Sequence, residues 1–252
     1  MSSCVSIGEC AFKLCDKLRN TDISKARTIG YGAFYECMGL TSIKIMPGVS
    51  LPAGCFSSCD QLSVIYNINK CQSIGDSALS YCSSLQNIDI SSCSELGERV
   101  FHGCTNLITV KLKPGIALKD GAFLGCSNLE TVYNLNKCTS IGSDNKAKFG
   151  VFEHCYKLSN NDISECTFIG QQAFVGCISL TSIKLASGVK IGYEAFYGCS
   201  NLSEVDNLRN CIYIGDYAFY ECRSLNNIDA SGANYIGDWA FYNTSLETLK
   251  LG

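Results

Sequence analysis

Basic clusters, long apolar runs, histidine and proline are all scarce in this chain. Its 252 residues carry 20 Lys and Arg against 23 Asp and Glu, a formal charge of −3, with 17% charged residues, where an ordinary soluble domain has roughly 25%. No lysine or arginine block stands out, which argues against a nucleic-acid or anionic-membrane surface. The apolar runs fall far short of the roughly 20 residues that span a bilayer, so no membrane insertion is expected. Residues 1–20 hold charges at Glu9, Lys13, Asp16, Lys17 and Arg19 and no continuous apolar stretch, so no secretory leader is expected either. Two histidines and one tryptophan leave little material for catalysis. Neither a phosphate-cradling loop nor a nucleophile elbow is present. The expectation is a chain that is not an enzyme and carries no cofactor and no metal.

Cysteine (18), glycine (23) and self-similarity are in excess. An aromatic anchor, once Leu, recurs at Phe12, Phe34, Phe56, Leu79, Phe101, Phe123, Phe152, Phe174, Phe196, Phe219 and Phe241. The spacings are 22 or 23 residues, except for one of 29 between Phe123 and Phe152. The residue before each anchor is small or β-branched, as at Ala33, Cys55, Val100 and Ala195, and Leu follows six later, as at Leu40, Leu62 and Leu85. Each position therefore faces its own copy in the next unit, which is the logic of a solenoid. The end of each unit, for example Leu40-Thr41-Ser42-Ile43-Lys44-Ile45, alternates with period two and suits a short strand. The I-G-x-x-A-F-x-x-C half reads as a short turn or single helical turn, with Gly permitting a backbone twist.

The unit I-G-x-x-A-F-x-x-C-x-x-L-T-S-I, clearest at Ile29–Ile43 and Ile169–Ile183, resembles the BspA-like class of leucine-rich repeats, found in surface antigens and adhesins. The match covers nearly the whole chain, failing only at the insertion 143–150 and in the shortened last unit. The resemblance implies an α/β-type leucine-rich-repeat solenoid of eleven repeats. A parallel β-sheet would line its concave face and short turns or helical turns its convex face. Residues 1–252 would form one such solenoid. For function the resemblance implies protein or surface binding, with no catalytic residue in the repeat.

A longer period of 67 residues groups the units in threes. The first of each triplet ends in N-x-D-I-S or close to it, as at Asn20–Ser24 and Asn87–Ser91; the second ends in S-I-K-L or similar, as at Ser182–Leu185. The third carries one extra residue and ends in Y-N-I, Y-N-L or D-N-L, at Tyr66–Ile68, Tyr133–Leu135 and Asp206–Leu208. The outward residue of each strand then reads Asp22, Lys44, Tyr66, Asp89, Lys111, Tyr133, Asp162, Lys184, Asp206, Asp229, Lys250. Asp and Lys become cross-strand partners that keep register. The same row is the candidate partner-binding surface, and its aromatic members suit a protein interface.

The cysteines obey the same lattice. Ten follow the anchor by three; Cys71, Cys93, Cys138, Cys166 and Cys211 fall eight or nine residues after the Leu, and Cys4 holds the same place by phase, before the first full strand. They read as small buried hydrophobes with a weak donor, and free thiols point toward a reducing compartment. The surface habit of the resembled family points the other way. The last segment, Leu246–Gly252, stops inside a strand. An exposed edge of that kind invites pairing, so a homo-oligomer formed through end strands is the alternative to a binding scaffold.

Overall fold

The computed structural model describes residues 4–143 and 149–252. Each repeat forms one turn of a coil, and each turn pairs in parallel with the next. The first ladder contains the short strands read from the L-x-x-I-x-L segments, from Asn20–Asp22 and Ser42–Lys44 through to Thr248–Lys250. Equivalent residues stand opposite each other: Ile43 faces Ile65, Val110 faces Val132 and Ile183 faces Val205. The middle side chain of each strand points inward, so Ile43, Val110 and Ile183 are buried. The two flanking side chains point outward, as the pleat requires.

The return half of the repeat takes the short-turn form of the two expected and adds a feature the repeat did not announce. It forms a second parallel ladder of two-residue strands, six of them continuous from Ala117–Leu118 to Tyr235–Ile236. The anchor itself is not helical. In almost every turn it is bracketed by two left-handed residues, two before and two after, such as Gly32 and Glu36 around Phe34 or Tyr217 and Glu221 around Phe219. Both flanks therefore bend the chain sharply, and the anchor N–H points along the stack. Phe34 donates to the Cys55 carbonyl (2.9 Å) and Phe174 to the Ala195 carbonyl (2.7 Å). Hydrogen bonds between turns replace the within-turn bonds a helix would need. The scattered glycines at these flanks were the available sequence signal.

Gly142 does adopt a positive φ (81°), but in most turns the glycine after the Ile or Leu of the second ladder needs a different explanation from the one its sequence suggested. Gly97, Gly192 and Gly215 do not adopt positive φ. Instead, a β-carbon at Gly215 would lie 2.7 Å from the Gly192 carbonyl carbon, and one at Gly97 would lie 2.2 Å from the Asp76 nitrogen. Close approach of consecutive turns, rather than backbone twist, excludes a side chain there.

The helices among the described residues are three single 3-10 turns, Ile68–Lys70, Leu135–Lys137 and Leu208–Asn210. Each follows a left-handed Asn whose side-chain amide donates to the preceding turn: Asn67 to Ile45 O (2.9 Å), Asn134 to Leu112 O (2.8 Å) and Asn207 to Leu185 O (3.1 Å). These turns take up the extra residue of the third unit. After each one, strand pairing in the first ladder stops and restarts with the next triplet. The 67-residue period is thus a structural period, with pairing in blocks of three.

A continuous core runs from Ile7 to Ala240. Its axis is a stack of anchor rings, with centroids 5.3 Å apart for Phe152–Phe174, 5.1 Å for Phe174–Phe196 and 5.2 Å for Phe196–Phe219. Beside it runs a column of thiols. From Cys37 onward, each cysteine three residues after an anchor donates to the anchor carbonyl of the previous turn, as in Cys59 to Phe34 O (3.1 Å), Cys104 to Leu79 O (3.1 Å) and Cys177 to Phe152 O (3.2 Å). A thiol fits because it fills an apolar slot while satisfying a buried carbonyl. All 18 cysteines are free, and only Cys4, Cys10 and Cys15 escape burial. Burial pushes the Cys199 thiol up to about 12 and the Cys211 thiol up to about 11, so both stay protonated.

Candidate protein-interaction surface

The outward row of the first ladder brings together the side chains expected from the sequence. Asp22 is in register with Lys44, and Lys44 with Tyr66; Asp89 is in register with Lys111, and Lys111 with Tyr133. Asp162, Lys184 and Asp206 repeat the arrangement, and Asp229 meets Lys250. Ion pairs close at 3.4 Å for Lys44–Asp22, 3.4 Å for Lys111–Asp89 and 3.1 Å for Lys250–Asp229. Lys184 stands in register between two carboxylates and closes no ion pair within 4 Å with either. The row is not one unbroken ladder, because Tyr66 and Tyr133 end their blocks. Of the inserted segment 143–150, residues 144–148 lie outside the described residues.

The aspartates also have a task that the repeat pattern did not announce. Four of the five accept a hydrogen bond from the backbone N–H two residues on, Asp206 being the exception: Ser24 to Asp22 (2.9 Å), Ser91 to Asp89 (3.0 Å), Ser164 to Asp162 (2.9 Å) and Ser231 to Asp229 (3.1 Å). The D-x-S spacing is an Asx turn that ends the strand. The Ser231 hydroxyl, then the Ser231 N–H, then Lys250 hold the Asp229 carboxyl down at about 2. Asp22 and Asp89 are lowered as well. For Asp22 the Ser24 contacts lead; for Asp89 burial pushes upward, and the Ser91 contacts with Lys111 outweigh it.

A depressed folded-state pKa stabilises the fold above the unfolded value, here 3.8, and that stabilisation disappears as pH falls toward 2. The melting temperature is therefore expected to hold from pH 7 to about 4 and to fall between 4 and 2. Asp229→Asn, which keeps the acceptor, should flatten that fall when thermal melts are compared. An unchanged acid slope would refute the assignment.

Tyr66 and Tyr133 have neither an ion-pair nor a turn duty. They are 55% and 54% exposed, at the third position of their blocks. What the row offers is a sheet of five aspartates and four lysines with two aromatic side chains standing free, three strands apart. Strand spacing places those positions roughly 15 Å from one another. No group of metal-ligating side chains occurs among the described residues, and no helix among them is long and apolar enough to cross a membrane.

The ladder geometry, the anchor stack and the repeat length coincide with one family description, the BspA type leucine-rich repeat region. Its model matches in six copies, over residues 1–108, 28–149 and 145–252. The chain belongs to the BspA-type leucine-rich repeat family. Solved structures agree with this assignment. A leucine-rich repeat protein from Bacteroides ovatus is 26% identical over 95% of this chain and 80% of its own, with a TM-score of 0.54. The T. pallidum leucine-rich repeat protein is 30% identical over 62% of this chain and 72% of its own, with a TM-score of 0.53. A leucine-rich cell surface protein from Faecalibacterium prausnitzii shares the fold at 24% identity and a TM-score of 0.51, over 97% of this chain and 69% of its own. No curated protein matches. Leucine-rich repeat proteins are generally protein-interaction scaffolds, and in this member the outward row of the first ladder is Asp, Lys and Tyr.

Proposed function

We propose that this chain is a non-catalytic interaction or adhesion scaffold that binds a protein partner through the outward row of its first ladder. The observation that supports this reading most is the free standing of Tyr66 and Tyr133. The fold already uses four of the five aspartates for Asx turns and three of the four lysines for ion pairs, whereas the two tyrosines contribute exposed aromatic area at a position Asp206 fills in the third triplet. Exposed, unpartnered tyrosines on a rigid sheet are the material of binding hot spots. Lys111, in register between Asp89 and Tyr133, adds a charged contact beside one of them.

Alanine at Tyr66, Tyr133 and Lys111 together is expected to weaken partner binding at least tenfold while leaving the circular dichroism spectrum and melting temperature near wild type. Unchanged affinity in a folded triple variant would refute the reading.

A further inference from the structure

A second exposed surface is concentrated where the proposed function does not use it. Seven of the 13 tyrosines and the single tryptophan fall between residues 193 and 242, on the return side of the last turns. One row stacks Tyr197 on Tyr220 and Tyr220 on Tyr242, both at 4.9 Å between centroids. A second row joins Tyr193 to Tyr217 (5.8 Å) and Tyr217 to Trp239 (6.4 Å), and Tyr217–Tyr220 and Trp239–Tyr242 contacts tie the rows together. A third row pairs Tyr213 with Tyr235 at 4.9 Å. The fold does not require them. Earlier turns close with Ser57, Ser80 or Leu124 at the position of the first row, and with Ser77 or Gly121 at the position of Tyr217.

Trp239 is 55% exposed, Tyr242 48% and Tyr235 45%. At roughly 200 Å² for each aromatic side chain, the patch is on the order of 500 Å², near the upper end of what a monomer shows without a partner. Three carboxylates lie among the rings. Asp216 accepts the Tyr235 hydroxyl (3.2 Å) and the Asp238 N–H (3.0 Å), and Glu194 accepts the Gln172 amide (2.8 Å). Among the described residues, no Lys or Arg lies within 4 Å of Asp216, Asp238 or Glu194. The nearby Arg223 is held by Glu221 at 3.1 Å, and Lys190 flanks the patch in register with Tyr213. This contrasts with the first ladder, where most aspartates have their lysine.

The geometry points to a docking surface for a protein partner that presents arginine. Ring faces in the first and third rows are turned toward each other, so edges and phenol oxygens meet solvent. A nucleobase or sugar, which stacks on open faces, finds little here. A guanidinium finds uncompensated carboxylates for paired hydrogen bonds, and its alkyl stem can lie along the ring edges. Tyr193 and Tyr197 sit on one turn, Tyr213, Tyr217 and Tyr220 on the next, and Tyr235, Trp239 and Tyr242 on the one after, so the surface spans three consecutive turns. It is also separate from the Asp-Lys-Tyr row, and either proposal can fail alone.

The test is fluorescence anisotropy of a labelled twelve-residue peptide of alternating Arg and Ala, titrated with the full chain at low salt. Its neutral counterpart carries citrulline for Arg. Saturable binding is expected, at least tenfold weaker for the citrulline peptide, for Asp216→Asn with Asp238→Asn, and for Tyr217→Ser with Tyr220→Ser. The serine pair copies Ser77 and Ser80 and so keeps the fold. Tyr66→Ala with Tyr133→Ala should bind as wild type does. The proposal is overturned if the wild type does not bind, if citrulline binds equally, or if both patch variants retain affinity. It is also overturned if the patch instead mediates a dimer of this chain, seen as a wild-type mass that halves in the serine variant.

Discussion

Replacing Phe174 by alanine is expected to lower the unfolding free energy by about 3–5 kcal/mol, the range for removing a buried aromatic ring. The ring is fully buried, and both of its faces are occupied, at 5.3 Å by Phe152 and 5.1 Å by Phe196. Neither neighbour can slide into the void, because each is fixed in its own turn by backbone bonds such as Phe196 N to Ala218 O (2.8 Å). The loss should fall at one point of the coil, since each turn touches only its neighbours. Phe174→Leu should cost much less, because the fourth turn is built on Leu79, which is also fully buried. Guanidinium titration of both variants checks this. A loss under about 1 kcal/mol for the alanine variant would mean that the stack is not the axis of the core.

Gly215→Ala should also be costly. Its β-carbon would sit 2.7 Å from the Gly192 carbonyl carbon and 2.9 Å from both the Gly192 oxygen and the Tyr193 nitrogen. These are backbone atoms that cannot rotate away, and overpacking of this kind costs about 1–3 kcal/mol, with larger values where nothing yields. Gly8 occupies the same place in its repeat, yet a β-carbon there would meet nothing within 4 Å. Gly8→Ala is therefore expected to be neutral or to stabilise by about 0.4–1 kcal/mol, through the unfolded chain. The contrast between two equivalent glycines separates close approach from backbone conformation. Equal losses at both sites would restore the conformational explanation.

What the sequence made legible was whatever repeats with the lattice. The anchors, the inward Ile and Val, the burial of the lattice cysteines from Cys37 onward (Cys4 and Cys15, in the first turn, are exposed) and the order Asp, Lys, Tyr all follow from a fixed period, because identical residues one turn apart must stack. The return half was harder to read. Residues such as Glu36, Tyr81 and Glu221 take left-handed φ with no glycine to mark it, since the inter-turn hydrogen bonds impose the shape on side chains that would not choose it. The two-residue strands around Ile74 and Ile191 were too short to leave an alternating pattern. The Asx role of Asp22 and Asp89 was written in the D-x-S spacing, yet the cross-strand lysine offered a sufficient reason for the same residue. The aromatic rows at residues 193–242 are spread over several different positions of the repeat, so no single repeat position revealed them.

Site-specific photo-crosslinking is the most direct test of the binding surface. A benzophenone side chain would be placed in turn at Tyr66, at Tyr133 and at Tyr81, which is 48% exposed on the return side. Products formed on illumination in cells producing the protein would be identified by mass. The same protein partner is expected from Tyr66 and Tyr133, and none from Tyr81. No product from the two row positions, or the same products from all three, would contradict binding through the first ladder.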